Sequence, residues 1–370
     1  MKIGILTLPL IGNYGGVLQA YALQKILNNM GHEACLIERR NSKAEKILKL
    51  WLNGVSFLFM RLRGRKIAFT LNNKKCDSKK LYIDRFINTY INYKYVRSYL
   101  NLNEKDFDAF IVGSDQIWRP IYCNGKYNKF KIFNYYLFFT RNWNIKRLSY
   151  AASFGTDKWE YTKIQTWISK KLIKKFDAVS VREKNGVDLC KKYFDTDAQW
   201  VLDPTMLLTR DDYISLFQSH NTPKSKGSLL VYILDETSEK TQLIDKIEAS
   251  LSLIPFYVNK ANNKTDTNVL PSIEQWLRGF YDAKFVITDS FHACVFSILF
   301  MKPFIVYGNK SRGLSRFTSL LNMFGLNDRL VTDLKDLNKC DFKNIDWDNV
   351  YSRLNAQRKK SFDFIKLALK

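Results

Sequence analysis

Short apolar runs alternate with segments of helical periodicity along the chain. Residues 2–7 (KIGILT) form a continuous apolar run, which predicts a strand buried on both faces. Residues 17–30 then place apolar side chains at helical spacing, with Gly31 where a helix C-terminal glycine belongs, and residues 33–38 predict the next strand. This strand–helix–strand unit indicates a right-handed crossover in a parallel sheet.

The same alternation continues in two successive series. The first series adds strands at 107–112, 147–152 and 178–181, and a connection follows in which Thr209 can cap a helix. The second series predicts strands at 228–234, 254–258, 285–288 and 303–308 and helices at 237–250, 291–300 and 347–368. We therefore predict an α/β fold of two Rossmann-like domains with a ligand cleft between them. The predicted divisions are an N-terminal domain over 1–205, a C-terminal domain over 206–346 and a last helix over 347–370.

Composition narrows the class of protein. The 370 residues are 46% hydrophobic and 25% charged, which supports a sizeable core and argues against global disorder. The six cysteines are far apart and none forms a CxxC pair, so a zinc cluster or a redox motif is not expected. The apolar start leads into a glycine loop rather than a cleavage site, and apolar runs are too short to span a bilayer. A reduced, cytoplasmic protein is expected.

A large positive charge predicts an anionic partner. The formal net charge is +24, and residues 39–99 alone contain 16 basic and 3 acidic residues. Within that block, the mostly apolar run Ile47–Met60 precedes a basic cluster. It is either an interfacial segment that lies on anionic lipid at the inner face of the plasma membrane, or a core helix with a solvated basic end. Nucleic acid is not expected as a partner, because no zinc-finger, zipper or RNP-type motif is present.

Candidate chemistry lies in the loops that follow the predicted strands, where open α/β sheets bind ligands. The loop GNYGG, which contains Asn13–Gly16, can direct backbone amides to an anion or a sugar hydroxyl, or can be only a tight turn. Asp115, in VGSDQIW, fits an acid/base or a helix cap. Arg182 leaves a buried strand at its carboxyl end, with an ion pair to Glu183 or Asp203 as the alternative to a ligand contact.

Two later loops complete the candidates. His292, one of three histidines, lies in the first turn of a very apolar helix, where an imidazole can exchange protons with a ligand or be buried in a core. Lys310, Arg312 and Arg316 follow the next strand in one short loop. Such a cluster binds phosphate or carboxylate, or is a solvated basic loop.

The motifs GNYGGVLQAYALQKIL, VGSDQIW, YAASFG, SVREKNG, VLDPTMLL and TDSFH, in this order, resemble those of the polysaccharide pyruvyl transferase family. The resemblance runs over roughly residues 3–330. It implies a GT-B-like fold and transfer of pyruvate from phosphoenolpyruvate to sugar hydroxyls, which forms a ketal. It also implies bacterial capsule or exopolysaccharide biosynthesis, an acceptor carried on undecaprenyl diphosphate, and neither a metal nor a redox cofactor.

In that family an arginine of a VRE-type motif and an Arg-x-His motif handle the donor. Arg182 matches the first and His292 the histidine of the second, but Ser290 stands where the second arginine is expected. Lys310, Arg312 and Arg316 are the candidate replacements. The predicted catalytic residues are His292, Asp115 and Arg182. The predicted substrate-binding residues are Asn13, Tyr14, Gly15, Gly16, Ser114, Ser153, Phe154, Ser290, Lys310, Arg312 and Arg316.

This chemistry needs a cationic site with one acid/base group. Phosphoenolpyruvate carries a charge of about −3 at neutral pH, so cations or helix-start amides must surround it. Two alternatives remain open: a nucleotide-sugar glycosyltransferase of the same fold, and a non-catalytic binding partner in polysaccharide assembly.

Overall fold

The computed structural model describes residues 1–10, 12–39, 81–123, 130–259, 269–308, 313–339 and 344–370. Its strands form two sheets in which every neighbouring pair is parallel. The first sheet, in the order β3-β2-β1-β4-β5-β6-β7, contains β1 (Lys2–Leu6), β2 (Glu33–Arg39), β3 (Tyr93–Val96), β4 (Ala109–Val112), β5 (Lys146–Ala152), β6 (Ala178–Val181) and β7 (Gln199–Trp200). The second, in the order β12-β11-β10-β8-β9, contains β8 (Leu229–Tyr232), β9 (Pro255–Tyr257), β10 (Phe285–Thr288), β11 (Phe304–Tyr307) and β12 (Leu330–Val331).

Helices connect the strands. They are α1 (Tyr14–Asn29), α2 (Leu81–Tyr90), α3 (Pro120–Cys123), α4 (Lys163–Ile173), α5 (Lys184–Leu189), α6 (Arg210–Gln218), α7 (Ser238–Leu251), α8 (Ile273–Asp282), α9 (Phe291–Leu299), α10 (Ser315–Phe324) and α11 (Trp347–Ala368). Shorter 3-10 turns cover Tyr99–Asn101, Glu104–Asp106, Lys131–Tyr136, Phe138–Thr140, Pro204–Met206, Asn327–Arg329 and Leu334–Lys339, and a π-helical turn covers Cys190–Phe194.

The predicted α/β fold of two Rossmann-like sheets with a cleft between them is confirmed, and most elements lie within two residues of the prediction. Thr209 caps α6 as expected, in a capping box with Asp212. Gly31 has a φ of 85° just beyond α1, a left-handed conformation that glycine adopts without cost. One local prediction is wrong: Tyr14, Gly15 and Gly16 form the first turn of α1 rather than a loop.

The two halves share one hydrophobic core. Tyr14 of α1 stacks on Trp276 of α8, with ring centroids 5.7 Å apart and planes at 18°, and its hydroxyl donates to the Pro271 carbonyl at 2.6 Å. The same cluster of buried apolar side chains includes Val17 and Leu18 of α1 together with Val295 and Phe296 of α9. Because these side chains are buried and closely packed, they fix the position of one wall of the cleft relative to the other.

The last helix contacts both halves. In α11, Ser361 accepts a hydrogen bond from the Leu202 amide, and Arg358 donates to the carbonyls of Met206 and Leu208. The same helix, α11, also packs against α10, which lies between β11 and β12 of the second sheet. The predicted domain boundaries at 205 and 346 remain predictions. Within the described ranges, no helix combines the length and the apolarity that a membrane crossing requires. The run Ile47–Met60 lies outside the described residues.

Candidate active site

Both sheets reverse their strand order beside one cavity. In the first sheet β2 and β3 lie on one side of β1 and β4 on the other; in the second, β9 and β10 lie on opposite sides of β8. Parallel α/β sheets bind ligands at such points, beyond the carboxyl ends of the strands. The loops after β1, β4, β8 and β10 therefore mark one candidate site.

These loops and the start of α10 enclose a cavity of about 270 Å³ between the two halves. Its lining includes six of the predicted site residues: Asn13, Gly16, Asp115, Ser290, His292 and Arg316. The topology thus brings together residues as far apart in sequence as Asn13 and Arg316.

Asp203 is the centre of a hydrogen-bonded wall behind His292. Its carboxylate is 2% exposed, and Oδ1 accepts from the amide and the hydroxyl of Thr205. Oδ2 accepts from Ser114 Oγ at 3.2 Å and from Arg182 Nη1 at 2.9 Å. The same oxygen lies 3.6 Å from His292 Nε2. That distance is too long for a hydrogen bond. The contact is an ion pair when the imidazole is charged, and it then favours this orientation of the ring.

Arg182 lies behind the cavity wall, among three carboxylates. Besides Asp203, its guanidinium lies 3.3 Å from Glu183 Oε1 and 3.5 Å from Asp115 Oδ1. It is 4% exposed and stacks over the ring of Phe291 at 4.3 Å. The ion pairs weighed as the alternative role for Arg182 are therefore present, and its charge is neutralised by protein groups.

Burial and charge act in opposite directions on these groups. Burial raises the pKa of Asp203, but His292 and Arg182 lower it by more, so it lies well below the usual range. Burial also raises the pKa of Glu183, and Arg182 offsets only part of that effect. Burial lowers the pKa of Arg182, but the three carboxylates outweigh it, so this pKa is raised. The Arg182–Asp203 pair is therefore ionised at neutral pH.

His292 is held between Asp203 and Gly15. Nε2 faces Asp203 and makes no hydrogen bond. On the other side, a β-carbon at position 15 would overlap Nδ1 and Cγ of the imidazole. Glycine is required here because α1 and the ring approach so closely. The imidazole thus lies between the Asp203 carboxylate and the start of α1, and His292 lines the cavity from this position.

Arg316 brings a cation to the cavity. It lies in the first turn of α10, where its Nε is buried without a hydrogen-bond partner, and its Cζ is 6.0 Å from the Phe291 ring. Burial and the nearby charge on Arg182 lower the pKa of Arg316, but an arginine remains charged at neutral pH. Its position on a helix corrects the prediction of one basic loop. Lys310 and Arg312 lie outside the described residues.

Two helices begin at the cavity. Asn13 is the N-cap residue of α1 and Ser290 that of α9, and both line the cavity. The amides of a helix's first turn have no partners within the helix and carry a partial positive charge. An anion in the cavity would therefore meet two helix starts together with Arg316.

Asp115 is not a helix cap. Its backbone has a φ of 59°, and the next helix, α3, begins only at Pro120. Its carbonyl accepts from the amides of Ile117 and Ser153, which fixes this unusual conformation, while the side chain lines the cavity. The acid/base alternative is the one that this placement allows.

Four predicted substrate-binding residues are placed away from the cavity. Ser114 donates to Asp203, and Ser153 to Glu183, so both support buried carboxylates. Tyr14 stacks between the two halves, and Phe154 is buried against aromatic rings that include Trp118, Trp159, Tyr161 and Phe194. We assign these four to support and packing instead of ligand contact.

Sequence reasoning missed Gln19 and gave Asp203 only a minor part. Gln19 is 1% exposed; its amide donates to Thr7 and to the Gly16 carbonyl, and it accepts from the Ser114 amide. It thereby ties the loops after β1 and β4 together. A glutamine among the buried apolar residues of α1, which Gln24 shares, and the aspartate of VLDP are the signals that point to them.

Comparisons with known proteins agree with the motifs. A family model described as polysaccharide pyruvyl transferase matches residues 13–311. No curated protein matches the chain.

Similar solved structures include a glycosyltransferase from Rickettsia africae ESF-5, with a TM-score of 0.47, 12% identity and coverage of 100% of this chain and 95% of that one. Acinetobacter baumannii MurG has a TM-score of 0.42 and 14% sequence identity, and the match covers 97% of this chain and 94% of MurG. The S. aureus MnaA–UDP structure has a TM-score of 0.47 and 11% sequence identity, and the match covers 99% of this chain and 96% of that one. All three TM-scores are below 0.5, so no inference about the reaction is taken from these proteins.

Proposed function

The chain belongs to the polysaccharide pyruvyl transferase family, and from this membership we propose that it transfers pyruvate from phosphoenolpyruvate to two hydroxyls of a sugar. The product is a cyclic ketal, made in capsule or exopolysaccharide biosynthesis. The observation that carries the proposal is the position of His292 in the cavity wall, where Asp203 and Gly15 hold the ring between them.

The cavity contains positive groups for the donor beside three aspartates, Asp115, Asp235 and Asp289, of which Asp289 is paired with Lys240. Arg316 and the starts of α1 and α9 are the groups proposed to meet its phosphate and carboxylate. Ser290 is too short to replace the arginine expected at its position, and Arg316 lines the same cavity. Arg316 is therefore our choice among the three candidate replacements.

The reaction requires one proton transfer to carbon and two from oxygen. His292 is proposed to protonate the methylene carbon of phosphoenolpyruvate, which becomes a methyl group and leaves C2 electrophilic. A sugar hydroxyl attacks C2 and loses its proton, with Asp115 as the acceptor. The C2–O bond to phosphate breaks and phosphate departs with the bonding electrons. A second hydroxyl then attacks C2, passes its proton to His292, which the first step left unprotonated, and closes the ketal ring.

Arg182 is proposed as a positioning residue rather than a donor clamp. Its charge is committed to Asp203, Glu183 and Asp115, and it does not line the cavity. Through Asp203 it fixes the orientation of His292, and through Asp115 it fixes the second acid/base group. This differs from the donor contact that the family resemblance implies.

A second cavity is proposed to take the acceptor sugar. It measures about 330 Å³, lies beyond the carboxyl ends of β1 and β2, and shares Leu8, Pro9, Leu10 and Tyr122 with the first cavity. Its lining combines tyrosine rings with polar groups, which suits a polyhydroxylated ligand: Glu38, Arg39, Tyr99, Tyr122, Lys131, Asn134 and Tyr135. We propose that this sugar is carried on a lipid diphosphate, with the protein at the inner membrane surface.

Phosphate release from phosphoenolpyruvate, measured over a panel of free and lipid-linked galactosides and mannosamine-containing acceptors, tests this function. We expect release that depends on an acceptor and a product heavier by one pyruvyl ketal. Release of a nucleoside diphosphate from a nucleotide sugar instead would indicate a glycosyltransferase. Acceptor binding without turnover of either donor would indicate a non-catalytic partner.

A further inference from the structure

Positive charge is concentrated in two stretches of this chain. Residues 119–175 contain 13 basic and 2 acidic residues, and residues 39–99 contain 16 and 3. In the rest of the chain, basic and acidic residues are equal in number. Most of the first stretch is described, and it covers α3, the two 3-10 turns over Lys131–Thr140 and α4.

The outer face of α4 is apolar at its centre and basic around it. Ile164 is 63% exposed and Trp167 is 59% exposed, although both lie on a well-formed helix. Lys163 and Lys171 are exposed on the same face, and Lys171 Nζ lies 3.7 Å from the centre of the Trp167 ring. Exposed aromatic and aliphatic side chains between lysines are what a helix at a bilayer interface presents.

Elements that pack beside α4 also carry exposed apolar and basic side chains. The turn Lys131–Tyr136 packs against both α3 and α4, and Lys175 at the end of α4 donates to the Arg141 carbonyl. These elements carry three large exposed apolar side chains: Ile121 (67% exposed), Phe130 (61%) and Phe138 (39%). The guanidinium of Arg141 stacks on the Phe138 ring, 4.4 Å from its centre. We define the interfacial face as Ile121, Phe130, Phe138, Ile164 and Trp167 with their surrounding lysines and arginines.

We propose that the interfacial face docks the protein on an anionic lipid bilayer. Basic side chains attract the headgroups, and the apolar side chains enter the headgroup region. Scattered exposed aliphatic and aromatic side chains fit a bilayer better than a single-stranded nucleic acid, which binds in a basic groove with stacking aromatic rings. The inference does not depend on the reaction proposed above, since it concerns a surface outside the catalytic cavity.

The face lies next to the proposed substrate cavities. Tyr122, beside the exposed Ile121 on α3, lines both cavities, and Lys131 and Asn134 line the second from the turn that packs on α4. A protein docked by this face would hold the mouth of the second cavity close to the membrane. A substrate with a lipid tail would then reach it without leaving the bilayer.

Vesicle flotation tests the proposal on the full chain. The vesicles contain phosphatidylcholine and phosphatidylglycerol, or phosphatidylcholine alone. We expect binding to the anionic vesicles that is lost in 1 M salt, where the Debye length falls to about 3 Å. Lys163→Glu with Lys171→Glu should weaken binding at least about 30-fold, because each lysine near an anionic surface contributes about a factor of five.

A second variant tests the apolar part, and a third is the control. Ile164→Ser with Trp167→Ser should weaken binding at least about 10-fold with thermal unfolding unchanged, because both side chains are exposed. Lys359→Glu with Lys360→Glu, exposed on α11, matches the charge change and should bind as the parent does. Unchanged binding in both face variants, equal loss in the control, or binding only to single-stranded RNA would overturn the proposal.

Discussion

Gly15 and His292 are in contact across the two halves of the molecule. Gly15 lies in the first turn of α1, which follows β1 of the first sheet, and His292 in the first turn of α9, which follows β10 of the second. A β-carbon on residue 15 would occupy the space of the imidazole. The approach of the two helix starts therefore sets the position of the proposed acid/base group.

Gly15→Ala should reduce turnover at least about 100-fold, because the ring, which has Asp203 on its other side, must leave its position to make room, and one well-placed acid/base group contributes about 10²–10⁴-fold. Alanine favours a helix over glycine by about 1 kcal/mol, so the fold should survive. Steady-state kinetics beside a thermal melt measure both effects. Gly16→Ala is the comparison, since its β-carbon would only approach Asn13 Nδ2 at 3.4 Å. Equal loss in the two variants would contradict the proposed contact.

His292→Ala should abolish pyruvyl transfer while the protein remains folded. Asp203 keeps Arg182, Ser114 and Thr205 as partners in that variant, so no buried carboxylate is left unpaired. The measurement is phosphate release under single-turnover conditions, with circular dichroism as the check on folding. Near-parental turnover would remove His292 from the mechanism.

The architecture could be read from the sequence because its signal is local. The run FVIT and the apolar helix after it fix β10 and α9, and therefore the position of His292, to within a residue. That Asp115 and Asn13 lie near each other follows from the rule that parallel strands end at one edge of a sheet, whereas their approach to His292 depends on how the two sheets face each other.

The electrostatic partners could not be read in the same way. That Arg182 faces Asp203, Glu183 and Asp115 together depends on how three loops close in space. Tyr14 and Phe154 lie within the sequence motifs, yet their rings are buried. Their burial depends on contacts with residues far away in sequence, which a short motif does not contain. Lys310, Arg312 and the segment Ile47–Met60 lie outside the described residues, so their predicted parts stay predictions.

Arg316→Met should raise the KM for phosphoenolpyruvate about 10- to 100-fold, since a charge-assisted contact to the donor contributes about 1.5–3 kcal/mol. Stability should be unchanged or higher, because the variant removes a buried charge that lies near Arg182. Initial-rate kinetics and urea unfolding provide the two readouts. Arg353→Met, exposed on α11, is the matched control. A loss of stability with an unchanged KM would show that Arg316 is structural.

Asp203→Asn should lower the free energy of unfolding at pH 7 by about 3 kcal/mol, because it breaks a buried ion pair. The folded pKa of Asp203 is depressed, so its contribution is complete above the unfolded value of about 3.9 and is lost as pH falls below it. The difference between parent and variant should therefore shrink from pH 5 towards pH 3. Denaturant unfolding at several pH values measures it, and a difference that does not change with pH would contradict the depressed pKa.

Tyr14→Phe separates packing from substrate binding at a motif position. The hydroxyl donates to the Pro271 carbonyl and the ring stacks on Trp276, so the change removes one hydrogen bond and keeps the stack. We expect the free energy of unfolding to fall by about 1 kcal/mol, while kcat and both KM values of the folded enzyme stay within about twofold. Urea unfolding and steady-state kinetics on the same preparation measure these quantities. If Tyr14 contacted the donor or the sugar, a KM would rise instead and stability would stay the same, which would return Tyr14 to the substrate-binding set.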